Sequence, residues 1–197
     1  MATVKILIEG YAHWIEDNKK QKASGTITLI KGSVNCIVDT GNVGDATKIE
    51  KTLKKESIDT KDINVVINTH GDIDHVGNNS LFTKASFIGG HDIVSDGDVF
   101  TFFEGEYEIS KDVKVISTPG HSIEDISVLV DTDEGLVAIT GDLFESENDI
   151  KDQSWRHFSN YPKEQIKSRK QILEIADWVV PGHGKMFKVG SKHKSSK

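Results

Sequence analysis

The sequence predicts one α/β domain, and three observations carry that prediction. Short runs rich in β-branched residues recur along the 197-residue chain, bounded by glycine or polar turn residues. The spacing of apolar residues shifts to a helical period twice, after Asp39 and again after Gly141. Four of the apolar runs end abruptly in histidine or aspartate, most densely in "INTHGDIDHVGN" at 67–78. No internal repeat or linker interrupts the pattern. A single domain is therefore expected over residues 1–190, with 191–197, "SKHKSSK", as a solvated, disordered basic tail.

The elements follow in order. Residues 3–9, 26–31 and 33–38 read as strands, with Lys31-Gly32-Ser33 as a tight turn between the last two. Ala46, Ile49, Leu53 and Ile58 then fall near helical spacing, and Asp45 stands where a cap belongs. "INVVIN" at 63–68 is a continuous apolar strand suited to burial on both faces. Strands are expected at "ASFIGG", "DVFTFF", "YEIS", "VKVIST", "ISVLV" and "GLVAITG", with "FTFFEGEYEIS" as a hairpin. Helices are expected at "DIKDQSWRHF" and at "PKEQIKSRKQILEIA", where Pro162 suits a first turn. "DWVVPGHG" reads as a last strand running into a loop.

Composition narrows the function classes. A chain of this length can bury a sizeable core without disulfides. A formal charge of −7 works against a general nucleic-acid or anionic-membrane surface. The lone cysteine, Cys36, sits in an apolar run and reads as a small buried hydrophobe, which suits a reducing compartment. The opening "MATVKILIEG" is broken by Lys5 and Glu9 and lacks the long apolar core of a signal peptide, and no later stretch has the length of a membrane span. The expectation is a cytoplasmic protein that does not enter a membrane.

The opening cluster sets His70, Asp72, Asp74 and His75 within six positions at the end of a strand. "VISTPGHS" delivers His121, "VAITGD" delivers Asp142, and "WVVPGH" delivers His183 in the same way. Each alone reads as a turn or surface residue. Together, imidazoles and carboxylates carried on sheet-anchored loops suit zinc, iron or manganese, and a set of this size fits two adjacent metals. With no thiolate offered, a cysteine-rich structural zinc site is excluded.

"THGDIDHVGN" resembles the T-H-x-H-x-D-H motif of the metallo-β-lactamase superfamily, and "TPGHS", "TGD" and "PGHG" resemble its later metal motifs in the same order. The resemblance runs from "CIVDTG" to "PGHG". In the second half, "HSIEDISVLV", "GDLFE", "SW" and "KSRKQILEIADWVVPGHG" resemble one branch more closely. The resemblance implies a four-layer αββα sandwich with a dinuclear site at one edge of the sheets. His70 and His121 would bind the first metal, Asp74, His75 and His183 the second, and Asp142 would bridge. Asp39 would either buttress the site or serve as a strand-end turn residue.

One position departs from the motif, since Asp72 stands where the family has a second histidine. If Asp72 reaches the metal, three carboxylates and a bridging hydroxide would balance two divalent cations, giving a neutral, weaker Lewis acid that leans toward harder ions. If it is too short, the first subsite would be weak or empty. The implied cofactors are two divalent ions, zinc foremost, with iron or manganese as alternatives.

The implied chemistry is hydrolysis of an ester, lactone, amide or related small molecule by a metal-bound hydroxide, with Asp142 and Asp74 as the catalytic carboxylates. Glu145 is a candidate proton donor, although a solvated or capping role suits it better. Lactonases of the superfamily place tyrosine where Glu145 stands, which weakens that substrate class, and the missing export signal weakens a β-lactamase. The branch resemblance carries a nuclease of RNA 3′-end processing as an alternative, and a metal-binding non-enzyme is another. The expected partner is a small molecule rather than nucleic acid, in a chain able to form a homodimer. His91 lies outside the motifs. Trp14, Trp155 and Trp178 read as core residues or pocket walls, and His157 and Tyr161 as substrate-facing or dimer residues.

Overall fold

The structure, a computed structural model, describes residues 1–16 and 19–190; the expected tail at 191–197 lies outside the described residues. The first half carries β1 (Thr3–Ile8), β2 (Tyr11–Ile15), β3 (Lys20–Ser24), β4 (Ile27–Lys31), β5 (Cys36–Val38), α1 (Ala46–Lys55), β6 (Val65–Asn68), α2 (Ile73–Val76), β7 (Ser86–Gly89), β8 (Asp92–Ser95) and β9 (Val99–Phe102). The second half carries β10 (Glu106–Ser110), β11 (Val113–Ser117), β12 (Ile126–Thr132), β13 (Gly135–Ile139), α3 (Pro162–Ile175), β14 (Trp178–Val180) and β15 (Phe187–Lys188).

Two large sheets result, ordered β1-β4-β5-β6-β7-β8-β9 and β10-β11-β12-β13-β14-β15, beside a two-stranded ribbon β2-β3. The side chains show how they stack. Ile30, Cys36, Val38, Ile67 and Ile88 from the first sheet pack against Val115, Ile126, Val128, Val130, Val137 and Ile139 from the second, forming the core between them. On the far side of the first sheet, Ile27, Leu29, Ile37 and Val66 bury Ile49 and Leu53 of α1. On the far side of the second, Leu129, Ala138 and Val179 bury Ile172 and Ala176 at the end of α3. Both faces of each sheet are thus covered, and the layers read αββα, as the resemblance implied.

Local chemistry explains the helix ends. The Ile58 N–H donates to the Leu53 carbonyl 3.0 Å away, and Ser57 adopts φ +59°, so the chain turns sharply and returns Ile58 to the apolar face of α1. Asp45 precedes α1 as expected, but its carboxylate accepts the Asn42 N–H rather than a helical one. Pro162 opens α3 at its first turn.

Two expectations need correcting, and two elements were not foreseen. The stretch 100–110 is no hairpin: β9 closes one sheet and β10 opens the other, because Phe103 between them is buried in the inter-sheet core. The stretch 149–158 forms short 3-10 turns instead of a helix. The paired ribbon β2–β3 and the short strand β8 are additional elements. Among the described residues, no helix is long and apolar enough to cross a membrane.

Direction matters for the site. β5, β6 and β7 run parallel, and so do β13 and β14. β11 is antiparallel to β12, which is antiparallel to β13, so β11 also points with β13. The C-terminal ends of β5 and β6, and likewise of β11, β13 and β14, therefore open on a common edge of their sheet, the usual location of functional loops in such sheets.

Candidate metal centre

Each expected residue emerges from one of these strand ends. His70 follows β6, and Asp72, Asp74 and His75 lie at the start of and within the single-turn α2. His121 follows β11, Asp142 sits in a 3-10 turn after β13, and His183 follows β14. All seven converge. Asp142 is central: its Oδ2 lies 3.6 Å from His70 Nε2, 3.8 Å from His121 Nε2 and 3.3 Å from His183 Nε2, while its Oδ1 lies 3.3 Å from His75 Nε2. Asp72 Oδ2 lies 3.2 Å from His121 Nε2 and 3.7 Å from His70 Nε2. Asp74 Oδ2 lies 3.8 Å from His183 Nε2 and 4.0 Å from His75 Nε2.

Two donor groups take in all seven residues, and a third set, Asp142, Glu145 and His183, overlaps them. His70, Asp72, His121 and Asp142 form one, and Asp74, His75 and His183 the other, with Asp142 in reach of both. Asp72 does reach the first group, and with a side chain 59% exposed it forms the solvent side of it.

The fit to cations can be tested on the atoms themselves. Ligands roughly 2.1 Å from a shared ion sit about 3.0 Å apart at octahedral and about 3.4 Å apart at tetrahedral angles. The separations above cluster at or slightly beyond those values. Moreover, His70 Nε2, His75 Nε2, Asp74 Oδ2 and Asp142 Oδ1 are buried with no hydrogen-bond partner, a costly state for polar atoms unless something else satisfies them. The residues present fit a pair of divalent ions.

The outer side of the site prepares three of the imidazoles. Asp39 Oδ2 accepts from His75 Nδ1 at 2.7 Å and from the Thr69 hydroxyl at 2.8 Å. Its Oδ1 accepts the Thr69 N–H. The Thr69 hydroxyl in turn accepts from His70 Nδ1 at 3.0 Å. The Ser24 carbonyl, at the end of β3, accepts from His183 Nδ1 at 3.0 Å. A proton held on Nδ1 leaves the inward Nε2 lone pair free for a cation, the usual outer-shell arrangement at metal sites. Asp39 thus fills both roles offered by the sequence, since it also adopts φ +58° at its strand end. Thr69 and Ser24 escaped sequence reasoning. Thr69 could have been suspected from its place beside His70, whereas Ser24 depends on a ribbon that the pattern does not announce.

Glycine at 182 has a steric reason: a Cβ there would collide with the Asp142 carboxylate. Without cations, the carboxylates draw protons into the site. Burial opposes the charge on His70, but Asp142 outweighs it and pushes the ring up to about 10; His183 rises to about 9 by the same balance. Asp142, despite its burial, is held far below the usual carboxylate range by His75, His70 and His183. A buried cluster that gathers positive charge when empty is one in which metal ions would replace protons.

Other candidates lie apart. His91 is exposed and meets only the edge of Phe103, outside the cluster. Trp155 is buried, Trp178 half-buried, and Trp14 is 48% exposed and stacked on Phe158.

Comparison with known proteins bears on this geometry. The family model described as the metallo-β-lactamase superfamily matches residues 23–108. The chain belongs to that superfamily. Within it, the branch that the second half resembles is represented by metallo-β-lactamase domain-containing protein 1 of Xenopus laevis, 37% identical over 95% of this chain and 82% of that protein. A Methanocaldococcus jannaschii protein named as a probable metallo-hydrolase is 31% identical over 75% of this chain and 70% of its own length. The crystal structure of a metallo-β-lactamase candidate from Thermotoga maritima superposes with a TM-score of 0.73 at 25% identity, over 95% of this chain and 99% of that one. The fold is shared with AidC, a dizinc quorum-quenching lactonase, at a TM-score of 0.65 and 15% identity, over 83% of this chain and 74% of that one.

Proposed function

We propose that this chain is a metal-dependent hydrolase with a two-ion site. His70, Asp72 and His121 hold the first ion, Asp74, His75 and His183 the second, and Asp142 lies between them. The observation that carries this reading is the set of four buried, partnerless ligand atoms facing one another across the ends of two sheets. Bound divalent ions there would supply Lewis acidity, lowering the pKa of water to roughly 7 and polarising a scissile carbonyl or phosphoryl oxygen.

The protein's own groups do the rest. Asp142 joins the first sheet's imidazoles to those of the second. Asp74 Oδ2 makes no hydrogen bond within the protein and would hold the second ion, which sets the Asp74 carboxylate beside the attacking water. Asp39 and Thr69 hold His75 and His70 in place through the chemical step. The substrate class proposed is a small ester, lactone or amide. The lactonase that shares the fold supports it, while the tyrosine expected in a lactonase is here Glu145. Zinc is the proposed ion, and the second carboxylate of the first group makes iron or manganese the competitors.

The test pairs metal analysis with a substrate panel. Purified protein should hold about two ions per chain and turn over a lactone, ester, thioester or amide substrate. Turnover confined to a phosphodiester would move the substrate class to nucleic acid. A chain that holds no ion would overturn the reading. Asp142→Ala should lower activity at least 100-fold and leave the circular dichroism of the fold intact.

A further inference from the structure

Three of the four imidazoles have their outer nitrogen anchored, to Asp39, Thr69 and Ser24. His121 is the exception. Its Nδ1 is buried and has no hydrogen-bond partner, although its backbone is tightly held by the Asn160 N–H and side-chain amide on its carbonyl. An imidazole ligand with a loose outer edge binds a cation less tightly than an oriented one.

Glu145 Oε1 lies 4.0 Å from this Nδ1. The root of Glu145 is fixed: its N–H donates to Asp149 Oδ2 at 2.7 Å, and its carbonyl accepts the His183 N–H at 2.8 Å. Asp149 is held in turn by Arg169, whose guanidinium also donates to the Leu143 and Asp149 carbonyls. The side chain, 15% exposed, therefore swings from a rigid base toward His121, and about 1 Å of travel would close a normal hydrogen bond.

We infer that Glu145 is the positioning residue for His121, accepting its Nδ1–H and so completing the outer anchoring of the first ion's ligands. The inference rests on the two-ion reading above and assigns Glu145 a task different from proton delivery. It also differs from direct ligation, the alternative raised by Glu145 Oε2 at 3.8 Å from His183 Nε2.

The experiment compares wild type, Glu145→Gln and Glu145→Ala after chelator treatment, titrating each with Zn2+ by calorimetry and with Co2+ by visible absorption. Glutamine keeps an oxygen acceptor and loses the charge; alanine loses both. Glu145→Gln should retain the first ion's affinity within about fivefold, while Glu145→Ala should weaken it roughly 10–100-fold and alter the Co2+ spectrum of that subsite. Affinity for the second ion should be unchanged in both. Equal affinities in wild type and Glu145→Ala overturn the inference. So does a loss confined to the second ion, which would make Glu145 a ligand, or an equal loss in Gln and Ala, which would make its charge the active property. If wild type itself takes up no Zn2+, the two-ion reading fails first, and the inference falls with it.

Discussion

At the scale of single residues, the centre depends on close approach as much as on ligand chemistry. Gly182 must lie against Asp142, so Gly182→Ala would displace the Asp142 carboxylate or the loop that carries His183. The expected outcome is a loss of about 1–3 kcal/mol in stability together with weaker metal uptake, read by urea unfolding and metal analysis. Cys36 shows the opposite situation, a chemically capable group made inert. It is fully buried between the sheets, and burial pushes its thiol up from 9.0 to about 12. The folded pKa lies above the unfolded one, so the thiol's contribution to stability is intact below pH 9 and is lost as pH rises toward 12. Native protein at pH 8 should resist Ellman's reagent and react fully once unfolded; rapid native labelling would contradict the burial.

At the scale of elements, α3 does more than cover a sheet. Arg169 lies 4.1 Å over the Phe144 ring and 4.6 Å over that of Trp155, and binds the carbonyls of the segment that follows Asp142. Truncating it would strand the buried Asp149 carboxylate. Arg169→Ala should cost about 3–5 kcal/mol, measured by denaturant unfolding, with Arg169→Lys recovering part of it. The strongly patterned elements were legible in the sequence: Ile49 and Leu53 fix α1, and the apolar run 65–68 fixes a strand paired on both edges. The ribbon β2–β3 was not, because "YAHWI" and "KQKAS" leave most residues exposed and so carry no core-facing alternation. The false hairpin at 100–110 had a correct local signal in Gly105 at φ +72°, but turn chemistry does not say which sheet the next strand joins.

At the scale of the whole molecule, the site is a clasp between two sheets. His70, Asp72, Asp74 and His75 arrive from the first, and His121, Asp142 and His183 from the second. Ions that bind this folded arrangement and not the unfolded chain would stabilise it by about 4 kcal/mol at a thousandfold excess over Kd. For a domain of this size each kcal/mol moves the midpoint by roughly 2–4 °C. Removing the ions with a chelator should therefore lower the melting temperature by roughly 8–16 °C, and adding Zn2+ back should restore it; a melt indifferent to chelation would count against the clasp.

By itself the sequence determined the residue types of the centre, the strand ends that bear them, and the superfamily, because motif spacing and apolar periodicity are local properties of the chain. Whether Asp72 reaches its neighbours, which outer groups hold each imidazole, and that His121 alone lacks one were decided only by the tertiary structure. Those are distances between segments far apart in the chain, set by how two twisted sheets pack, and no local pattern encodes them.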